Sequence, residues 1–259
     1  MTFNNPEPPT TPQMGGPYPQ YSTGNRQTSP PYVTYALLGI TILVFLLQLG
    51  TKALLGFDLP AAIGVKENSL ISQGQYWRLI TPLFLHSTSN LLHIVFNMYA
   101  LFIFGPTLEH FYGHGRYVIL YFLAGFTGNV LSLMFSQAPS LGASTAIFGL
   151  VGAEAIFLYR NRKLLGRRAQ PALINLLVIV VLNLFLGFSS GFIDNWGHIG
   201  GLIGGVTYAW FGGPVLEVNG VYPNLQVVDQ RSTSQSWLAA AGVFVVFAAL
   251  AAMAIIQGG

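Results

Sequence analysis

The sequence predicts an all-α protein that crosses a membrane several times. Hydrophobic residues make up 52% of its 259 positions and charged residues only 7%. Soluble domains carry about 25% charged residues, because a solvated surface needs them. Eleven basic and eight acidic side chains cannot cover a chain of this size, whereas a bilayer can cover the rest. The third observation is periodic: seven apolar segments, bounded by charges, Pro or Gly, recur along the chain at 32–50, 91–107, 117–135, 144–159, 171–188, 196–212 and 236–256. Each approaches the length that spans a hydrocarbon core of about 30 Å.

Ahead of the first segment, residues 1–31 hold eight of the fifteen prolines, interleaved with Gln, Gly, Tyr, Asn and Thr. Such a stretch cannot bury enough apolar surface to offset its ordering entropy and is expected to be a disordered tail. No apolar run follows Met1 directly, so a cleavable signal peptide is not expected. A core is expected over 32–212, a polar linker over 213–235 and a last span within 236–259. The connection 51–90 is too polar to span and too rich in aromatic and aliphatic residues to be a free tether; it is expected to fold against the membrane surface. The chain has no cysteine, which rules out disulfides and thiolate metal sites. A net charge of +3, dispersed along the chain, gives no footing for nucleic acid.

Lys and Arg set the expected orientation. With the N-terminus cytoplasmic, Arg26, Arg116, Arg160, Arg162, Lys163, Arg167, Arg168 and Arg231 lie inside, against Lys52, Lys66 and Arg78 outside. This is a positive-inside bias dominated by 160–168, and it places the C-terminus outside.

In that topology the second, fourth and sixth spans run the same way, and each carries polar residues near its start: His93 and Asn97, Ser144, and His198. Polar groups inside a membrane are costly and mark functional sites by default. From Ser144 to Arg160 is roughly 24 Å of helix, and the matching stretches after His93 and His198 are similar. All fall short of the core thickness, so the three polar ends share one layer below the outer surface. Neutral imidazole can take the proton of a serine hydroxyl near pH 7. Ser144, preceded by Gly142 and Ala143, stands at an expected helix start, where its own amide is free for an oxyanion. His93 and Asn97, four apart, share a helix face and can both donate hydrogen bonds. The Gly201-xxx-Gly205 spacing after His198 makes a smooth face for close helix approach, with Gly149, Gly152 and Ala153 on the fourth span as its expected partner.

Four stretches in order carry a resemblance. They are Trp77-Arg78; His86 with His93-Ile-Val-Phe-Asn97-Met, then Phe104-Gly105, Leu108-Glu109 and Gly113; Gly142-Ala-Ser144-Thr-Ala-Ile-Phe-Gly149; and Gly197-His198-Ile-Gly-Gly201-Leu-Ile-Gly-Gly205. Over about 35–212 the chain resembles the rhomboid family of intramembrane serine proteases. The resemblance implies a six-helix rhomboid core, here with one extra C-terminal transmembrane helix, and a Ser–His dyad that cleaves transmembrane segments of single-span or other membrane protein substrates in the bilayer. Carried onto this chain, it makes Ser144 the nucleophile and His198 the general base and acid. His93, Asn97 and the Ser144 amide become oxyanion donors, and Phe148 the aromatic that packs on the imidazole. No cofactor and no metal are implied, and the expected setting is a bacterial cell membrane. Two positions depart from the family's habit: Thr145 where Gly is common, and Gly197 where Ala is common. Some relatives have lost serine or histidine and bind transmembrane clients without cutting them; that non-proteolytic reading is the alternative. A transporter would need polar residues through the full depth, and only Glu154 lies deep. Asp194, four residues before His198, reads as a helix cap rather than a third triad member. Glu109, His110 and His114 read as turn residues at the opposite end rather than metal ligands.

Overall fold

A computed structural model describes residues 29–190, 193–221 and 224–258. The expected disordered tail over 1–31 falls, for 1–28, outside the described residues. All seven apolar segments are helices. In chain order the helices are α1 (Tyr32–Leu55), the short α2 (Leu59–Gly64) and α3 (Asn68–Ser72), α4 (Leu91–Tyr112), α5 (His114–Phe135), α6 (Ser144–Arg160), the single-turn α7 (Arg162–Leu165), α8 (Ala169–Ser190), α9 (Asn195–Gly212) and α10 (Thr233–Gly258). Five helical runs, Tyr32–Leu55, Leu91–Tyr112, His114–Phe135, Arg162–Ser189 and Thr233–Gln257, are long and apolar enough to cross a membrane. This is an integral, multi-pass membrane protein.

Neither α6, at 17 residues, nor α9, at 18, belongs to that set of five. They carry Ser144 and His198. Both are largely buried among the other helices, so they face protein more than lipid and need not be uniformly apolar. The most extensive packing joins α6 to α9 and α5 to α9, with α5 also against α6. Around this three-helix centre stand α1, α4, α8 and α10, whose outward faces expose Leu43, Phe102, Leu177 and Val245.

The connection between α1 and α4 is folded. Asp58 caps α2 by accepting from Ala61 N at 3.0 Å, and 3-10 turns follow at Tyr76–Leu79 and Thr81–Phe84. Arg78 is buried and donates to the carbonyls of Val65 and Ala62, each at 2.7 Å; Trp77 donates to Ile63 O at 3.1 Å. At the other end of the bundle the buried Glu109 carboxylate caps α1. It accepts from Val33 N, Thr34 N and Thr34 Oγ1 at 2.9, 2.8 and 2.6 Å, and from His114 Nδ1 at 2.5 Å. A carboxylate on first-turn amides is the favoured charge at that helix end.

The segment expected to be a featureless linker, 213–235, contains an antiparallel hairpin. Its strands are β1 (Leu216–Asn219) and β2 (Gln226–Asp229), paired Leu216 to Asp229 through Asn219 to Gln226. Asn161 holds it to the bundle, accepting from Leu216 N at 2.7 Å, and Arg116 pairs with Asp229 at 2.6 Å. Together these make the otherwise all-α chain carry one short ribbon.

Candidate active site

The chain entering α6 is held from both sides before Ser144 is reached. Lys66 and Ser140 exchange backbone hydrogen bonds at 3.0 and 3.1 Å, and the buried Lys66 Nζ donates to Ser136 O at 2.8 Å and Ala138 O at 3.1 Å. Gly142 N donates to Pro82 O at 2.9 Å, and Ala143 N points at His86 Nε2 at 3.4 Å. His86 is fully buried; burial, reinforced by the neighbouring His93, lowers its pKa to about 3. It is therefore a neutral acceptor for that amide. Its backbone is clamped in turn by Gln48, which donates to His86 O and accepts from His86 N, both at 3.0 Å.

Ser144 opens α6, so its amide is one of the first-turn donors that no helical carbonyl can reach. Across from it, Asp194 caps α9. One carboxylate oxygen accepts from Gly197 N at 2.9 Å and the other from the Ser132 hydroxyl. The capped helix delivers His198 with Nε2 2.9 Å from Ser144 Oγ. His198 Nδ1 is buried and has no hydrogen-bond partner among the described residues. Asp194 is thus a cap, and the contact joins two groups, Ser144 and His198, rather than three.

The imidazole is flanked by Phe148, one turn below Ser144, with ring centroids 4.1 Å apart and planes within 8°. His93, on α4, approaches the Gly142 turn that leads into Ser144. A Cβ at Gly142 would sit 2.7 Å from His93 Nε2 and 3.6 Å from Ser144 Oγ, and Gly142 also has φ of +131°. Only glycine leaves room for the His93 ring here. Ser87 N donates to His93 Nδ1 at 3.4 Å, so the ring proton sits on Nε2, aimed at the site. Asn97 donates one amide hydrogen to His93 O at 2.7 Å and retains a second.

Small residues set the spacing, and Gly149 of the expected partner face meets both Gly201 and Gly205. Gly201 packs against the Thr145 backbone and Gly205 against Gly149. Gly152 instead receives Leu202 and Val206 of α9, and Gly200 and Gly204 form a second smooth face against Thr127 of α5. Thr127 Oγ1 donates across that seam to Gly200 O at 2.9 Å. The two departures noted in the sequence meet here: a Cβ at Gly197 would lie 2.9 Å from Thr145 Cγ2. Side-chain volume present on one helix is absent from the other.

Sequence reading missed Gln48 and understated His86 and Lys66. A signal existed for the first. Thr34, Thr41 and Gln48, spaced by seven in an otherwise apolar span, are all buried on the inner face of α1.

The family model of the Rhomboid domain matches residues 73–215. The chain belongs to the rhomboid family. Among curated relatives, the Rhomboid protease GluP of Bacillus subtilis (strain 168) is 44% identical over 179 residues, which is 69% of this chain and 34% of that protein. RHOMBOID-like protein 9, chloroplastic, of Arabidopsis thaliana is 33% identical over 161 residues, 62% of this chain and 37% of the relative. The Putative rhomboid protease YdcA of Bacillus subtilis (strain 168) is 32% identical over 173 residues, 63% of this chain and 84% of that protein. This rhomboid therefore spans about a third of the length of the first two relatives. At the far end of the bundle from Ser144, Glu109 and His114 are hydrogen-bonded to each other and Glu109 to α1. Among the described residues no group of three His, Cys, Asp or Glu side chains is placed to hold a metal.

Proposed function

We propose that this rhomboid is an intramembrane serine endopeptidase that cuts transmembrane segments of membrane protein substrates, with the activity residing in 32–212. The observation that carries the reading is the 2.9 Å contact between His198 Nε2 and Ser144 Oγ, made between two helices inside the bundle. Neutral His198 takes the hydroxyl proton as Oγ attacks the scissile carbonyl. The developing oxyanion is met by the Ser144 amide and the Nε2–H of His93, with the second amide hydrogen of Asn97 as a further donor. The imidazolium, steadied by the parallel face of Phe148, then gives its proton to the leaving amine. Water, deprotonated by the same imidazole, attacks the acyl-enzyme; the proton returns to Ser144 as the ester opens. No group beyond these side chains is called on. Gly142, Gly201 and Gly205 act by leaving room.

The same reading sets the protein in a bacterial cell membrane with the N-terminus cytoplasmic and the C-terminus outside, supported by the excess of Lys and Arg on one side. The site then opens toward the outer surface, and single-span proteins are the simplest substrates. Ser144→Ala and His198→Ala, each inserted and folded, are expected to abolish cleavage of a single-span reporter. Undiminished cleavage by both purified variants overturns the assignment.

A further inference from the structure

Helix α6 ends at Arg160, about 24 Å along the helix from Ser144, and the chain then turns into α8. That turn carries Arg160, Arg162, Lys163, Arg167 and Arg168 and no acidic residue. Two of the five are spent on the protein. Arg160 donates to Trp210 O and lies 5.1 Å from that ring; Arg162 donates to Tyr159 O at 2.9 Å and lies 4.4 Å from that ring. Lys163, Arg167 and Arg168 are exposed, and among the described residues no carboxylate pairs with them. Trp210 and Tyr159 are half-exposed aromatics of the type that seat at a membrane–water boundary.

Beside these free cations lies a shallow, open cleft along one face of the start of α8, lined by Arg167, Gln170, Pro171, Ile174 and Asn175. Toward the basic turn it offers the Arg167 guanidinium and the Gln170 amide, and Asn175 follows beyond Ile174. Its lower rim is apolar and continues down α8, where Ile174, Leu177, Val178 and Val181 are exposed on one helix face. Donors at one end and a hydrocarbon strip leading away from them are complementary to an amphiphile with an anionic head.

We propose that this cleft binds an anionic phospholipid. Its phosphate is held by Arg167 with Gln170, inside the field of Arg168 and Lys163, and one acyl chain lies along Ile174–Val181. A soluble phosphate satisfies only the rim, whereas the adjoining strip calls for a lipid. The site lies at the other end of α6 from the dyad, and its occupancy is independent of whether the dyad cuts anything.

The test is native mass spectrometry of the full chain in neutral detergent, titrated with phosphatidylglycerol or phosphatidylcholine. The expected result is one tightly held phosphatidylglycerol and weaker phosphatidylcholine. A cation near an anionic lipid surface is worth about a factor of five in binding, so Arg167→Gln/Arg168→Gln weakens phosphatidylglycerol retention roughly twentyfold. Ile174→Asn weakens it without altering charge, and Lys52→Gln, in the last turn of α1 at the other end of the bundle, leaves it unchanged. Equal retention of the two lipids by the unaltered chain, or undiminished retention by the double arginine variant, overturns the proposal. Displacement of phosphatidylglycerol by millimolar inorganic phosphate does so too, because the site would then take a soluble anion.

Discussion

Adding two methyl groups where α6 and α9 touch should silence the proposed dyad without altering either reacting group. A Cβ at Gly201 would lie 2.8 Å from the carbonyl carbon of Thr145, and one at Gly205 would lie 2.5 Å from Cα of Gly149. Ordinary contact begins near 3.4 Å, and both neighbours are helix backbone with no rotamer through which to yield. The helices must therefore part by roughly 1 Å at this crossing. The Ser144–His198 contact, 2.9 Å in the native packing, stretches to about 3.9 Å, beyond hydrogen-bond reach. A misplacement of that size costs on the order of a hundredfold in rate, while overpacking costs about 1–3 kcal/mol of stability. For Gly201→Ala/Gly205→Ala, kcat on a single-span reporter should fall about a hundredfold with KM little changed. Thermal unfolding, read in parallel, should still show a folded protein at the assay temperature. Gly39→Ala, with nothing within 4 Å of the added carbon, is the matched control and should cleave normally. A double variant that cuts at the native rate would show that the α6–α9 spacing does not set the Ser144–His198 contact, and so would a loss wholly explained by unfolding.

Three further outcomes follow from named contacts. Gly197→Ala alone drives a methyl into Thr145 Cγ2 and Thr145→Gly alone leaves a void, so each lowers stability by about 1–2 kcal/mol; the paired exchange should recover most of it, and strictly additive losses in a double-mutant cycle would show that the positions are uncoupled. Burial of Lys66 lowers its pKa to about 8 from 10.5, against the opposing attraction of Asp194 and Glu67. Between those two pH values the unfolded chain holds a proton that the folded chain has released, so stability rises with pH across the window. Relative to Lys66→Met, the native chain should gain roughly 3 kcal/mol from pH 8 to pH 10.5, and parallel unfolding curves would contradict the burial. Glu109→Gln keeps the shape but removes the charge that caps α1; unfolding should become easier by about 2 kcal/mol, and unchanged stability would mean the cap contributes nothing.

Much of this molecule was legible because bilayer solvation is a coarse and local constraint. The seven apolar runs are the seven long helices, and the cost of intramembrane polarity singled out His93, Asn97, Ser144 and His198 before any geometry was known. The distance from Ser144 to the basic turn placed the polar ends in one layer, and the structure brings Ser144 and His198 into contact. What the sequence could not show is set by partners far along the chain. Lys66 reads as a loop cation, yet its ammonium is buried on the carbonyls of Ser136 and Ala138. Gly201 and Gly205 announce close packing, and Gly149 meets both, but the contact of Gly201 with the Thr145 backbone depends on a helix register that spacing alone does not fix. The ribbon at 216–229 was hidden by its brevity, since two four-residue strands bury little and their polar residues resemble a linker. Asp194 was separable from the dyad in advance because a helix start has its own demand for an acceptor.

The proposed activation of Ser144 by His198 is read by a fluorophosphonate probe without any knowledge of substrate. The folded chain should take up one equivalent at Ser144, located by peptide mapping, and His198→Ala should lose that labelling while remaining folded. Labelling at Ser144 that persists in His198→Ala, or a native chain that cleaves a reporter yet never labels there, would contradict it.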